Sequence, residues 1–129
     1  METMQVETGA REAFIDITDR VWEAVRKTGK RDGAVLVFVP HTTCAATINE
    51  NADPDVVRDI LLALDKAIPD HNDFRHAEGN SSAHVKASLV GSSVHVILEE
   101  GRLMLGTWQG IYLCEFDGPR TRKVWVKVI

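Results

Sequence analysis

The chain has 129 residues, 44% hydrophobic and 26% charged, with a formal net charge of −4 and a pI near 5.7. That length predicts one domain with one core, and the acidic balance argues against a nucleic-acid binder, which needs a basic face, without excluding a small phosphorylated molecule held by a few local cations. No apolar run approaches a membrane span, and METMQVETGAREAF lacks the basic start and apolar stretch of a signal peptide, so no membrane attachment and a cytoplasmic location are expected. Cys44 and Cys114 form no CxxC and no zinc-ribbon pattern, and they read as free thiols of a reducing compartment.

The first helical signal runs from Asp16 to Thr28, with Ile17, Val21, Ala24 and Val25 on one face, Asp16 as cap and Gly29 as stop. AVLVFV (34–39) is continuously apolar and rich in β-branched residues, the pattern of a buried strand. After Pro40 comes a polar stretch of about a dozen residues, read as a connection. It ends in Asn49-Glu50-Asn51, just before a helix capped by Asp53 with Pro54 in its first turn. Val57, Ile60, Leu61, Leu64 and Ile68 recur at helical spacing until Pro69.

Residues 70–83 read as polar loop, and strands follow: SVHVILEE alternates, and IYLCEF and RKVWVKVI flank DGPRT as a hairpin. Two main helices, 16–28 and 54–68, with several strands predict an α+β domain built on an antiparallel or mixed sheet with the two helices packed against it.

Five histidines are candidates for chemistry. His95 in an alternating strand and His71 in a polar loop read as ordinary half-buried or surface residues, whereas His41, His76 and His84 each sit among polar residues near an element boundary. Three neutral imidazoles with an open fourth position would make a catalytic zinc site, although there is no HExxH spacing. The alternatives are acid, base or phosphate-donor roles, or three unrelated solvated side chains.

EGNSSAH offers a flexible backbone, with Gly79 allowing close approach to an anion, and Lys86 would face the same way as His84 if that segment is extended. GTWQG (106–110) brackets Trp108 and Gln109 with glycines: Trp108 would stack on a heterocycle that Gln109 reads, or would plug the core or a subunit contact. Cys44, three residues from His41, reads as a small buried thiol rather than a nucleophile.

Together HTTCAATINENADPDV, GNSSAHVKASLVGSS and GRLMLGTWQGIYLCEFDGPR resemble the YjbQ family, over nearly the whole chain and most strongly from His41 to Arg120. The resemblance implies a compact α+β fold with a β-sandwich-like sheet, a homotrimer, and an activity as a secondary thiamine-phosphate synthase, which joins hydroxymethylpyrimidine diphosphate to thiazole phosphate and releases pyrophosphate. The family's polar motifs fall here on His41, Thr42, Asn49, Glu50, Asn51, Asp53, His76, His84, Lys86, Trp108 and Gln109.

The expected site therefore has His41, His76, His84, Asn51 and Glu50 at its chemical centre, with Thr42, Asn49, Lys86, Trp108 and Gln109 contacting a small phosphorylated substrate. A divalent metal, Zn or Mg, would sit on the three histidines, and Lys86, Arg75 or Arg120 would neutralise phosphate. Two rival readings stand beside this one: a metal-dependent hydrolase of a small phosphorylated molecule, and a non-catalytic metal- or anion-binding trimer. The late strands carrying Trp108 and Trp125 offer apolar surface for subunit contact.

Overall fold

The computed structural model describes residues 1–129. Its elements in chain order are β1 (Glu2–Glu7), β2 (Ala13–Asp16), α1 (Thr18–Thr28), β3 (Gly33–Phe38), β4 (Cys44–Glu50), α2 (Pro54–Ala67), α3 (Ser81–Val90), β5 (Ser93–Glu99), β6 (Arg102–Leu103), β7 (Gln109–Glu115) and β8 (Thr121–Val128). The fold is α+β, as expected, and every strand pairing is antiparallel: a five-stranded sheet β1-β8-β3-β5-β6 and a three-stranded sheet β2-β7-β4.

Strand alternation decides which residues meet between the sheets. Val35 and Val37 of β3, Val96 and Leu98 of β5, and Val124, Val126 and Val128 of β8 face inward from the large sheet. They meet Cys44, Ala46, Ile111 and Leu113 of the small sheet, and α1 adds Val21, Ala24 and Val25. The alternate residues of the small sheet, Ala45, Tyr112, Cys114 and Phe116, form a second cluster under α2 and α3. β7 is thus buried on both faces, which is why Ile111 to Cys114 are apolar without alternation.

Helix α1 has Ile17, not the expected Asp16, at its N-cap; Asp16 lies one residue further out, where its Oδ1 accepts from the Thr18 N–H (2.9 Å) and hydroxyl (2.6 Å), and the helix stops at Gly29 in the left-handed conformation (φ 71°). Asp53 caps α2 by accepting from Asp55 N–H at 2.9 Å.

Three expectations differ from the structure. The hairpin around DGPRT does not form: β7 pairs with β2 and β4 in the small sheet and β8 with β1 and β3 in the large one, so the connection crosses between sheets and each strand turns an apolar face to the shared core. The stretch after Pro40 is a connection only as far as Thr43. Cys44 to Glu50 then pair with β7, because small residues fit a strand buried on both faces, Cys44 and Ala46 against the large sheet and Ala45 under α3. Ser81–Val90 is a third helix rather than loop and strand. It has almost no apolar stripe: it buries Ser82, Ala83, Lys86 and Ala87 and exposes Val85 and Leu89, since small side chains let it lie close to the sheet.

Candidate functional site

The alternation that buries Ile111 and Leu113 continues to Glu115, and the one that buries Val124 and Val126 runs back to Arg122. At one end of the core a carboxylate and a guanidinium therefore replace apolar side chains, and Arg122 is only 4% exposed. Arg122 Nε donates to Glu115 Oε1 at 2.9 Å, and Nη2 donates to Oε2 at 2.5 Å and to Thr43 Oγ1 at 2.8 Å. Glu115 also accepts from Thr8 Oγ1 (2.8 Å) and from the N–H groups of Phe116 and Asp117 (both 3.1 Å).

Burial alone would raise the Glu115 carboxyl, but the hydrogen bonds from Arg122, Asp117 N–H and Thr8 outweigh it and hold it below its ordinary value. Burial likewise works against the charge on Arg122, and Glu115 more than restores it.

Arg122 forms part of the wall of a cavity of about 400 Å³ lined by Pro40, His41, Thr42, Thr43, His76, Glu78, Asn80, His84, Asp117, Arg120 and Arg122. The structure thus brings His41, His76, His84 and Thr42 to one cavity. His76, from the turn before α3, and His84, from its first turns, stand edge to face with ring centroids 5.3 Å apart. Arg120 is held over Asp117 by Nε to the carbonyl (2.7 Å) and Nη2 to Oδ2 (2.9 Å), and Asn80 Nδ2 donates to the same carboxylate at 2.7 Å. Asn80 Oδ1 is the one buried side-chain polar atom without a partner.

His41 is oriented by β8: its Nε2 accepts from Lys123 N–H at 2.9 Å. Burial, and then the charge of Arg122, hold the imidazole below its usual value, so it is neutral and carries its proton on Nδ1. A ring whose Nε2 lone pair takes a backbone N–H and whose Nδ1 bears hydrogen has no lone pair left for a metal. Correspondingly, no three His, Cys, Asp or Glu side chains converge to share an ion. The arrangement does not fit a three-imidazole zinc site.

A second hollow of about 490 Å³ adjoins the first across His41, Thr42 and His84, and is otherwise lined by Cys44, Ala87, Ser88, Gly91 and Ser92. Burial pushes the Cys44 thiol up to about 12, with Glu115 adding to the effect, so it carries no thiolate near neutrality.

The other expected residues lie elsewhere. β4 runs from the cavity to Glu50, which pairs with Gln109, and seven residues of strand separate those ends by roughly 20 Å. There the polar motifs bond to one another: Asn51 N–H donates to Trp108 O (2.9 Å), Asn51 Nδ2 to Asp16 Oδ2 (3.3 Å), Gly106 N–H to Gln109 Oε1 (2.8 Å) and Glu50 N–H to Asn49 Oδ1 (2.7 Å). Trp108 is 62% exposed and plugs no core.

Lys86 is 2% exposed and faces neither hollow. It is bound to Glu12 Oε2 at 2.9 Å and to Asp65 Oδ1, because in a helix it lies away from His84 rather than beside it. Arg75 does not line the cavity, while Arg120 does. Sequence reasoning missed Arg122, Thr43, Glu78, Asn80, Asp117 and the buried Glu115; the available signal was a charged residue at an inward-facing position on each of two strands.

The family model for the UPF0047 protein YjbQ-like group matches residues 2–129. The chain belongs to the YjbQ-like UPF0047 family. Among its relatives, the UPF0047 protein YugU of Bacillus subtilis is 54% identical over 130 residues, covering 100% of this chain and 98% of that one. A UPF0047 protein of Methanocaldococcus jannaschii is 50% identical over 125 residues, 97% of this chain and 91% of that one. In three dimensions the chain is similar to a conserved YjbQ/UPF0047 family protein of Clostridium acetobutylicum, with a TM-score of 0.97 and 58% identity over the full length of both chains. It is also similar to the conserved hypothetical protein TT1486 of Thermus thermophilus, with a TM-score of 0.93, 45% identity and full coverage of both. The histidine cavity described above is therefore set in a YjbQ-like scaffold that several organisms share.

Proposed function

We propose that this YjbQ-like chain is an enzyme acting on a small phosphorylated molecule, with the phosphate seated against Arg122 and Arg120. The carrying observation is Arg122 itself: its Nε and Nη2 are committed to Glu115 and Thr43, while Nη1 has no partner in the chain and is not among the sealed, unpaired atoms. A buried guanidinium with one open N–H edge suits an anion. The α3 N-terminus, whose cap Asn80 lines the cavity, adds unpaired N–H groups. Neutral His41 presents an Nδ1–H donor, and His76 and His84 supply proton transfer.

The specific reaction we put forward is the joining of hydroxymethylpyrimidine diphosphate to thiazole phosphate with loss of pyrophosphate, the activity that the family resemblance implies. A Mg ion would enter with the diphosphate, on its oxygens. The homotrimer belongs to the same proposal: Leu36, Phe38, Trp125 and Ile97 lie on the outward side of the large sheet, with Phe38 and Trp125 stacked at 5.8 Å and Ile97 65% exposed. In that assembly the Asn51–Trp108–Gln109 corner would serve a neighbour's cavity. The buried, unpaired thiols Cys44 and Cys114 suit a cytoplasmic setting.

Turnover of the two thiamine precursors, measured with and without Mg, tests the reaction. Mixing His84→Ala with Trp108→Ala subunits tests the assembly: regained activity supports a shared site, and a mass of one chain by light scattering overturns it. Failure of inorganic phosphate to bind at millimolar concentration would remove the phosphate reading altogether.

A further inference from the structure

The two hollows meet at His41, Thr42 and His84 and differ in chemistry. The first carries Arg120, Arg122, Asp117 and Glu78. The second, of similar size, has no Lys, Arg, Asp or Glu in its wall: beyond the shared residues it presents two serines, a glycine, an alanine and a thiol that stays protonated. A free phosphate would occupy only the first. Volumes of about 400 and 490 Å³ lie in the range of small-molecule sites, and both open on the same pair of imidazoles.

We propose that the two hollows hold one substrate, a phosphate ester of a small uncharged organic group. The phosphate lies in the charged hollow, the organic group lies between α3 and the start of β4, and the P–O–C linkage sits at the boundary formed by His41, Thr42 and His84. This rests on the phosphate reading above and adds the class of organic group. An ionised group in the second hollow would meet no counter-charge, which gives charged esters no advantage there over uncharged ones. A hydroxylated or amide-bearing group would find Ser88 and Ser92, both exposed at that wall.

The test is calorimetric titration of the full chain with inorganic phosphate, glycerol 3-phosphate and O-phosphoserine. The expected result is glycerol 3-phosphate binding about tenfold tighter than inorganic phosphate, and phosphoserine binding no tighter than phosphate. Ser88→Phe fills the second hollow from an exposed helical position and should bring the ratio of the glycerol 3-phosphate and phosphate constants to about one. Ser92→Phe does the same from the other wall if the first variant folds poorly. Phosphate binding with no preference for the uncharged ester, or a preference that survives both variants, overturns this inference alone. Absence of phosphate binding overturns the reading beneath it as well.

Discussion

The backbone N–H of Lys123 donates to His41 Nε2 at 2.9 Å. β8, the direct neighbour of β3, thereby sets the tautomer of a cavity histidine, since a neutral imidazole accepting at Nε2 holds its hydrogen at Nδ1. Long-range nitrogen–proton NMR should report the Nδ1–H form at pH 7.5. Zinc added in equimolar amount should leave those His41 ring signals unmoved; a His41 ring shift with loss of the Lys123 bond would restore the zinc reading.

The same histidine gives a pH dependence with a definite sign. Burial and Arg122 place the folded His41 value below the 6.5 of the unfolded chain. The unfolded state therefore takes up a proton first as pH falls, so this contribution is full above pH 6.5 and lost as pH drops through the folded value. Urea unfolding at pH 7.5 and pH 5.5 should show wild type losing more stability than His41→Gln, whose amide oxygen can still accept from Lys123 but does not titrate. Equal losses would mean that His41 is not the responsible group.

Glu115 and Arg122 are a buried pair, and removing one partner strands the other charge. Glu115→Gln should cost about 3–5 kcal/mol. The double variant Glu115→Leu, Arg122→Met should recover a large part of that, yet lose phosphate binding, which separates the structural role of the pair from the ligand role of the guanidinium. Since Glu115 is held below its unfolded value of 4.5, its contribution is present above pH 4.5 and disappears as pH falls through the folded value.

Lys86 joins α3 to Glu12 and Asp65, and burial is outweighed by those two partners, which raise it. Asp65 is half-exposed, so its share is screened. Lys86→Ala should destabilise by about 3 kcal/mol, and Lys86→Met by less, with phosphate affinity unchanged in both. A tenfold loss of phosphate affinity with stability intact would return Lys86 to the binding site.

Cys44, with its thiol pushed up to about 12, should resist a thiol reagent at pH 8 until the protein is unfolded. Both cysteines are buried, so the native chain should give no reactive thiol and the denatured chain two. Rapid native labelling of Cys44 with loss of turnover would make it a reactive group after all.

How much of this was present in the sequence differs from element to element. The α+β class, α1, α2, β3 and the strand character of β7 and β8 follow from local periodicity and turn residues, because each reports the face that one element buries; that β7 and β8 belong to different sheets, rather than to one hairpin, does not. His41, His76 and His84 were recognisable by type and position, and the structure places them at one cavity.

Helix α3 was not readable, because a helix that packs by small residues and an ion-paired lysine leaves no apolar stripe. The grouping of site residues was not readable either. Asn49, Glu50, Asn51, Trp108 and Gln109 looked like companions of His41, yet they lie at the far end of β4, a distance set by strand rise rather than by the polarity of the motif. Arg122 and Glu115, 7 positions apart in the chain, became site residues only when the facing strands β8 and β7 were brought together, with Thr43 accepting from the same guanidinium. Local sequence determines which faces are apolar and where elements begin and end; only the packing of two sheets decides which polar ends share a cavity, because that depends on pairing and register between residues far apart along the chain.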